Sequence, residues 1–327
     1  MIPGDLESTG CRLSATVIEN MTPEVLESQA GSVHSAAQLI KDSYKGKVHP
    51  DWCPGCGDFS VLAALQTALF ELDLHPYQVV VISGIGCSSN LPGFINTYGM
   101  HTLHGRALAV GTGMRMGNHD LKVICVGGDG DGYGIGGNHF VHTMRRNVDL
   151  TYIVMDNQIY GLTTGQTSPT SVKGMKTKST PHGSVENPIN PIPMAIVGGA
   201  TYVARGYSAK QRHLVDLIKG AVAHPGFALV DVFSPCVTYN KDNTYQWFNP
   251  RVRVLEERGY QPDDFHKAMD LGHQWGEEIP IGLFWRRTDL PTLEDLEPVL
   301  QDGQGPLARR TLSLTAEQAQ ALITELL

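Results

Sequence analysis

Four short apolar runs, at 78–83, 123–127, 150–155 and 228–233, constrain this chain more than any other feature. Only the last contains a charge, Asp231. A run this short and this free of charge must bury both of its faces, as strands of a parallel sheet covered on two sides do. Helical stretches lie between them. Residues 59–72 carry apolar side chains at helical spacing, with Asp58 placed to cap the helix. Ser208-Ala209-Lys210-Gln211 reads as a capping box opening a helix that runs to about Ala223. The segments 103–118 and 137–147 are also predicted helical. Strands alternating with helices predict an α/β fold, a doubly wound parallel sheet. Ligands of such sheets sit at the carboxyl ends of the strands.

Composition narrows the function. The 327 residues are 41% hydrophobic and 18% charged, which is ordinary for a globular protein. The net charge of −8, without a long basic run, argues against nucleic acid as a partner. No stretch approaches the 18 apolar residues of a membrane span. The amino terminus, with Asp5 and Glu7, does not read as a secretory signal. Six cysteines are too few for a disulfide scaffold in a chain this long, so a cytoplasmic protein with metal-ligating and buried thiols is expected. Residues 1–47 read as an N-terminal arm with a helical stretch allowed near 34–43. Residues 48–240 read as the α/β domain. Residues 241–327, with Trp247, Trp275 and Trp285, read as an extended tail with short helices that packs on the core or on a partner.

Two loops carry the chemistry. Gly127-Gly128-Asp129-Gly130-Asp131-Gly132 follows the second run, and its glycines let backbone N–H groups approach an anion. The 26 residues between Gly130 and Asn157 suffice for a loop, a helix and a return strand. Asp129 and Asn157 should therefore meet at adjacent strand ends. A carboxylate, an amide oxygen and a backbone carbonyl suit a hard cation such as Mg²⁺ bridging to a phosphate. Asp131 either bonds a neighbouring N–H or caps the next helix. The spacing resembles the thiamin diphosphate signature, a Gly-Asp-Gly followed by a distant Asn. That resemblance makes Asp129, Asn157 and the Ile159 carbonyl the magnesium ligands.

The second loop is Asp51-Trp52-Cys53-Pro54-Gly55-Cys56-Gly57-Asp58. Cys87 and Cys236 each follow an apolar run, which puts them on the same ligand edge as Asp129. Four thiolates, Cys53, Cys56, Cys87 and Cys236, can thus converge as a Cys₄ site for zinc or an iron–sulfur cluster. One Cys-x-x-Cys pair with two dispersed cysteines favours the cluster over a closed zinc site. Cys125 reads as a buried hydrophobe and Cys11 as a bystander.

Taken with Gly84-Ile85-Gly86-Cys87-Ser88, Leu103-His104-Gly105-Arg106-Ala107, Tyr160-Gly161-Leu162-Thr163, Gly165-Gln166-Thr167-Ser168-Pro169-Thr170 and Ile279-Pro280-Ile281-Gly282, these segments resemble the β subunit of 2-oxoacid:ferredoxin oxidoreductases, most of all the 2-oxoglutarate type. The match runs from about residue 45 to about residue 290. The resemblance implies the thiamin diphosphate-binding fold and CoA-linked oxidative decarboxylation of a 2-oxoacid, reversible as carboxylation. It implies thiamin diphosphate, Mg²⁺ and one [4Fe–4S] cluster as cofactors, with electrons passing to ferredoxin. Pyruvate or a broad range of 2-oxoacids is the alternative substrate, and a non-redox thiamin enzyme component with structural zinc the alternative activity. Gly86, Ser88, Gly128, Asp129, Gly130, Asn157, Ile159, Gly161, Leu162 and Thr163 become cofactor contacts, and His104 a catalytic group. No glutamate stands between Asp73 and Val185 to contact the aminopyrimidine ring. An α subunit, in a heterodimer or a dimer of heterodimers, is expected to supply one. Arg106, Arg115 and Lys173 are candidates to hold a distal substrate carboxylate. Asn90 stands where many relatives carry a basic residue. His101, His139 and His142 are expected to be ordinary helix or loop histidines.

Overall fold

A computed structural model describes residues 39–310 and 314–325. Eight strands are present: β1 (Val79–Ser83), β2 (Tyr98–His101), β3 (Lys122–Gly128), β4 (Leu150–Asp156), β5 (Tyr202–Tyr207), β6 (Phe227–Phe233), β7 (Val252–Val254) and β8 (Ile279–Arg286). They form one sheet in the order β2-β1-β3-β4-β6-β5-β8-β7. Every pairing is parallel except β5 with β8. The four apolar runs became β1, β3, β4 and β6, and all seven residues of both β4 and β6 are buried. Each fully buried Val, Leu or Ile there contributes roughly 1.5–3 kcal/mol of transfer free energy.

The chain leaves β1 toward the β2 edge and returns on the other side as β3. The crevice at this reversal opens between the carboxyl ends of β1 and β3, where a doubly wound sheet binds its ligand. Helices α1 (Asp58–Glu71), α2 (Ala107–Gly117), α3 (Gly137–Arg145), α4 (Pro191–Val197) and α5 (Gln211–Ala223) connect the strands. Two close approaches fix the helices on the sheet. A Cβ at Gly111 in α2 would lie 2.4 Å from Cys125 Sγ in β3, so only glycine lets that helix settle. A Cβ at Gly57, the residue before α1, would lie 2.5 Å from Ser234 Oγ just past β6. This contact sets the Cys53–Cys56 turn against Ser234-Pro235-Cys236.

Several local expectations need correction. Gly57, not Asp58, is the N-cap of α1; Asp58 lies in the first turn, wholly buried, and makes no cap. Lys210 caps α5 without a side-chain bond, so Ser208 forms no capping box, and its hydroxyl instead lies 3.4 Å from that of Tyr245. β2, β5, β7 and β8 went unmarked in the sequence. Within 241–327 the tail thus supplies two strands of the sheet, as well as short helical turns. The arm residues 1–38, Cys11 among them, lie outside the described residues, and Lys41–Tyr44 is a single 3₁₀ turn. Among the described residues, no helix is long and apolar enough to cross a membrane.

Candidate active site

The loops after β1, β3 and β4 enclose a cavity of about 90 Å³. It is lined by Gly86, Ser88, His104, Gly128, Asp129, Gly130, Asn157, Ile159, Gly161, Leu162 and Thr163, together with Ile85, Cys87, Asp131 and Tyr160. Asp129 ends the β3 strand extension and opens one turn of π-helix over Gly130–Ile135. Its carboxylate is 1% exposed and accepts a 2.6 Å bond from the Thr170 hydroxyl. The same hydroxyl lies 2.9 Å from Asp156 Oδ1, and one proton cannot serve two carboxylates. Burial, with the charge of Asp231 next, pushes Asp156 well above the ordinary carboxylate range. The Thr170 hydroxyl is closer to Asp129 than to Asp156. Burial also raises Asp129, and hydrogen bonds from Ser168 and Thr170 offset this only in part. A cation at Asp129 would restore its charge.

Asn157 Oδ1 accepts from the Ile159 N–H at 3.1 Å, and the Asn157 carbonyl accepts from Asn240 at 3.0 Å. These bonds hold the amide and the Ile159 backbone in one turn at the end of β4, the strand beside β3. A carboxylate, an amide oxygen and a carbonyl therefore face one cavity among glycine backbones. That donor set fits a hard cation carrying an anionic diphosphate. Tyr160 closes over the loop. Its hydroxyl donates to the Gly130 carbonyl at 3.1 Å, and a Cβ at Gly130 would collide with its ring at 2.1 Å.

Asp131 does not cap a helix. Its Oδ1 accepts from Ile85 N–H at 3.0 Å and Gly105 N–H at 2.7 Å. His104 Nδ1 approaches the same oxygen to 2.8 Å, off the line of an aligned hydrogen bond. His104 is partly exposed and meets the Tyr160 ring edge-on.

A second cavity of about 150 Å³ is lined by Cys53, Cys56, Cys87 and Cys236, with Asp51, Trp52, Asn90 and Tyr239. Cys87, Asn157, Gly161 and Leu162 line both cavities, so the two share a wall. A Cβ at Gly161 would lie 3.7 Å from Cys236 Sγ and 3.8 Å from Cys87 Sγ. The four thiols are free. Among the described residues, no three His, Cys, Asp or Glu side chains gather closely enough to grip one metal ion. Four thiols lining one cavity are the donor set of a soft metal centre, an iron–sulfur cluster or zinc. Burial first, then the nearby Asp58 charge, pushes the Cys56 thiol far up and the Cys87 thiol to about 11. Four thiolates need a cationic core among them.

Three residues that hold this pocket escaped sequence reasoning. Trp52 Nε1 donates to the Cys87 carbonyl at 2.7 Å, tying the Cys-x-x-Cys turn to the Cys87 loop. Buried Asp58 accepts from Ser88 at 3.0 Å and Ser234 at 2.6 Å, joining the loops after β1 and β6. Thr170 orders Asp129. Trp52 and Thr170 stand inside the motif segments, which was the available signal. Of the candidate cations, Arg115 lies away from both cavities in ion pairs with Asp149 and Glu294, and Lys173 bonds Asn187. Arg106 bonds the carbonyls of His104 and Gly105. His101 Nδ1 lies 2.9 Å from Ser83 Oγ, and His139 and His142 sit on α3. Asn90 lines the thiol cavity, not the cofactor cavity.

Comparison with known proteins gives the following. Residues 77–232 match the family model described as thiamine pyrophosphate enzyme, C-terminal TPP binding domain. Residues 236–302 match the family model for the carboxy-terminal region of the pyruvate ferredoxin oxidoreductase β subunit. Over 290 residues the chain is 44% identical to 2-oxoacid:ferredoxin oxidoreductase 1, subunit beta, of Aeropyrum pernix, covering 86% of this chain and 88% of the relative. It is 46% identical over 252 residues to 2-oxoglutarate synthase subunit KorB of Methanocaldococcus jannaschii, covering 76% and 92%. A solved structure of 2-oxoglutarate:ferredoxin oxidoreductase from Magnetococcus marinus, with 2-oxoglutarate, coenzyme A and succinyl-CoA bound, superposes with a TM-score of 0.81 at 42% identity. The superposition covers 88% of this chain and 97% of that one.

Proposed function

Given that this chain belongs to the β subunits of the 2-oxoacid:ferredoxin oxidoreductases, we propose that it carries the redox half of a 2-oxoglutarate-oxidising enzyme. The reaction is CoA-linked decarboxylation of 2-oxoglutarate to succinyl-CoA and CO₂, reversible as carboxylation, with electrons delivered to ferredoxin. The 2-oxoglutarate preference is supported by the relatives named for that substrate and by the 42% identical solved enzyme. Bound thiamin diphosphate supplies carbanion chemistry at the keto carbon, and a [4Fe–4S] cluster supplies one-electron transfer.

The residues of this chain bind and orient. Asp129, Asn157 and the Ile159 carbonyl hold Mg²⁺, and Gly128 and Gly130 bring backbone against the diphosphate. Gly86, Ser88, Gly161, Leu162 and Thr163 complete the cofactor wall, with His104 facing it. Cys53, Cys56, Cys87 and Cys236 hold the cluster. Residues 48–240 act as the cofactor-binding region, and residues 241–327 pack on it or on the partner. The missing glutamate and a cavity of only about 90 Å³ support a site completed by an α subunit.

The observation that carries this reading is the shared wall: Cys87, Asn157, Gly161 and Leu162 line both the cavity of Asp129 and the cavity of the four cysteines. The test is the chain copurified anaerobically with its α subunit, supplied with CoA and a panel of 2-oxoacids, with dye reduction as the readout. The reading requires dye reduction with 2-oxoglutarate preferred. Preference for pyruvate would overturn the substrate, and inertness toward every 2-oxoacid would overturn the activity.

A further inference from the structure

Resting on that reading, we propose that Asp131 is a positioning residue that locks the His104 loop and the Cys87 loop into one frame around the cofactor cavity. Asp131 is 2% exposed and belongs to the π-helical turn after Asp129. Its partners come from two distant segments, Ile85 in the loop after β1 and Gly105 in the turn before α2. His104 stands against the same oxygen. One carboxylate oxygen therefore joins three loops: the one bearing Asp129, the one bearing His104 and the one leading to Cys87.

The surroundings are shaped for this carboxylate. A Cβ at Gly84 would lie 2.1 Å from Asp131 Oδ2, and one at Gly127 would lie 3.0 Å away. Both neighbouring strand ends thus leave room that only glycine leaves. The next residue but one, Gly86, holds φ +128°, a conformation open to glycine at no steric cost, so its flanks fix the path of the loop. The Ile85 amide bonded to Asp131 does this on one side. Two backbone amides donate to one buried side-chain oxygen, and bonds buried from water fix the loops tightly. Because Cys87 lines both cavities and His104 lines one, the position of Asp131 sets how the thiol wall and the histidine meet the cofactor.

The test compares the wild-type complex with Asp131→Asn and Asp131→Ala, each copurified with the α subunit. Asparagine keeps a carbonyl oxygen for the two amides but puts an amide in place of the carboxyl group that His104 meets; alanine loses both. Hydrogen exchange is followed first, in cofactor-stripped protein. Asp131→Ala should exchange faster by about tenfold in peptides 84–88 and 103–107 together, while Asp131→Asn stays near wild type. In loaded enzyme, Asp131→Asn should lower kcat about tenfold with KM for the 2-oxoacid nearly unchanged, the mark of lost alignment. Adding Asp131→Asn to His104→Ala should cost nothing further if Asp131 acts through His104. Unchanged exchange in Asp131→Ala, faster exchange in only one loop, or full additivity with His104→Ala would each overturn the proposal. If Asp131→Ala does not fold, the asparagine and histidine arms still decide. A wild-type complex that holds no iron or thiamin diphosphate would sink the functional reading instead, and the exchange result would still judge Asp131.

Discussion

The oxygen-donor cavity and the thiol cavity share a wall yet are ordered in different ways. Around Asp129, Asp131 and Asn157 the protein supplies the order itself: Thr170 bonds Asp129, two backbone amides bond Asp131, and the Ile159 amide bonds Asn157. On the other side, the protein brings the loops together through Asp58 and Trp52, and of the four cysteines Cys53 is exposed. The oxygen-donor side is thus ordered by bonds within the protein. On the thiol side, burial pushes the Cys56 and Cys87 thiols up.

This contrast can be broken most severely at Asp129. Asp129→Ala should abolish Mg²⁺-dependent retention of thiamin diphosphate, read by equilibrium dialysis of the purified complex; full retention would remove Asp129 from the ion. Cys236→Ser should next strip the cluster, since a hydroxyl is a poor soft-metal ligand, while thiamin diphosphate retention persists. Iron and cofactor contents measured on the same sample decide it, and an unchanged iron count would exclude Cys236. Thr170→Val tests whether the web orders Asp129: Mg²⁺ affinity should fall about 10–100-fold, the usual effect of losing a residue that orients a ligand. Affinity equal to wild type would show that Asp129 needs no such support.

The smallest effect lies far from both cavities and serves as a baseline. His224, buried with its Nε2 2.8 Å from Thr201 Oγ1, is driven by burial from its ordinary 6.5 to about 4. Its neutral ring therefore contributes stability that is whole above about pH 6.5 and is lost as pH falls toward about 4, because the unfolded chain binds the proton first. His224→Gln should flatten the dependence of Tm on pH across that window. An equally steep wild-type and variant profile would place the acid sensitivity elsewhere.

Much of this organisation was legible in the sequence. The strands β1, β3, β4 and β6 were readable because they are continuous apolar runs. β5 was not, because Arg205 and Gly206 interrupt it. That arginine is buried between the Phe233 and Phe284 rings, 3.7 Å from Asp231 on the neighbouring strand. No local pattern announces a charge whose partner is on another strand. β8 hid behind Pro280 and Gly282, and β2 is too short and too exposed to alternate. In the site, the residue types and their spacing placed the donors on one sheet edge. The supporting bonds of Asp131, Asp58 and Trp52, and that of Thr170 to Asp129, were not readable, because each reaches across 26 to 176 residues of chain.

The central claim is that one chain holds an iron–sulfur cluster and a metal-anchored thiamin diphosphate across a shared wall. Iron and thiamin diphosphate counted per chain in anaerobically purified complex, with the visible spectrum recorded before and after 2-oxoglutarate, test it most directly. The account predicts about four iron and a brown colour that fades on adding the 2-oxoacid. Colourless material that carries zinc or no metal at all would contradict it.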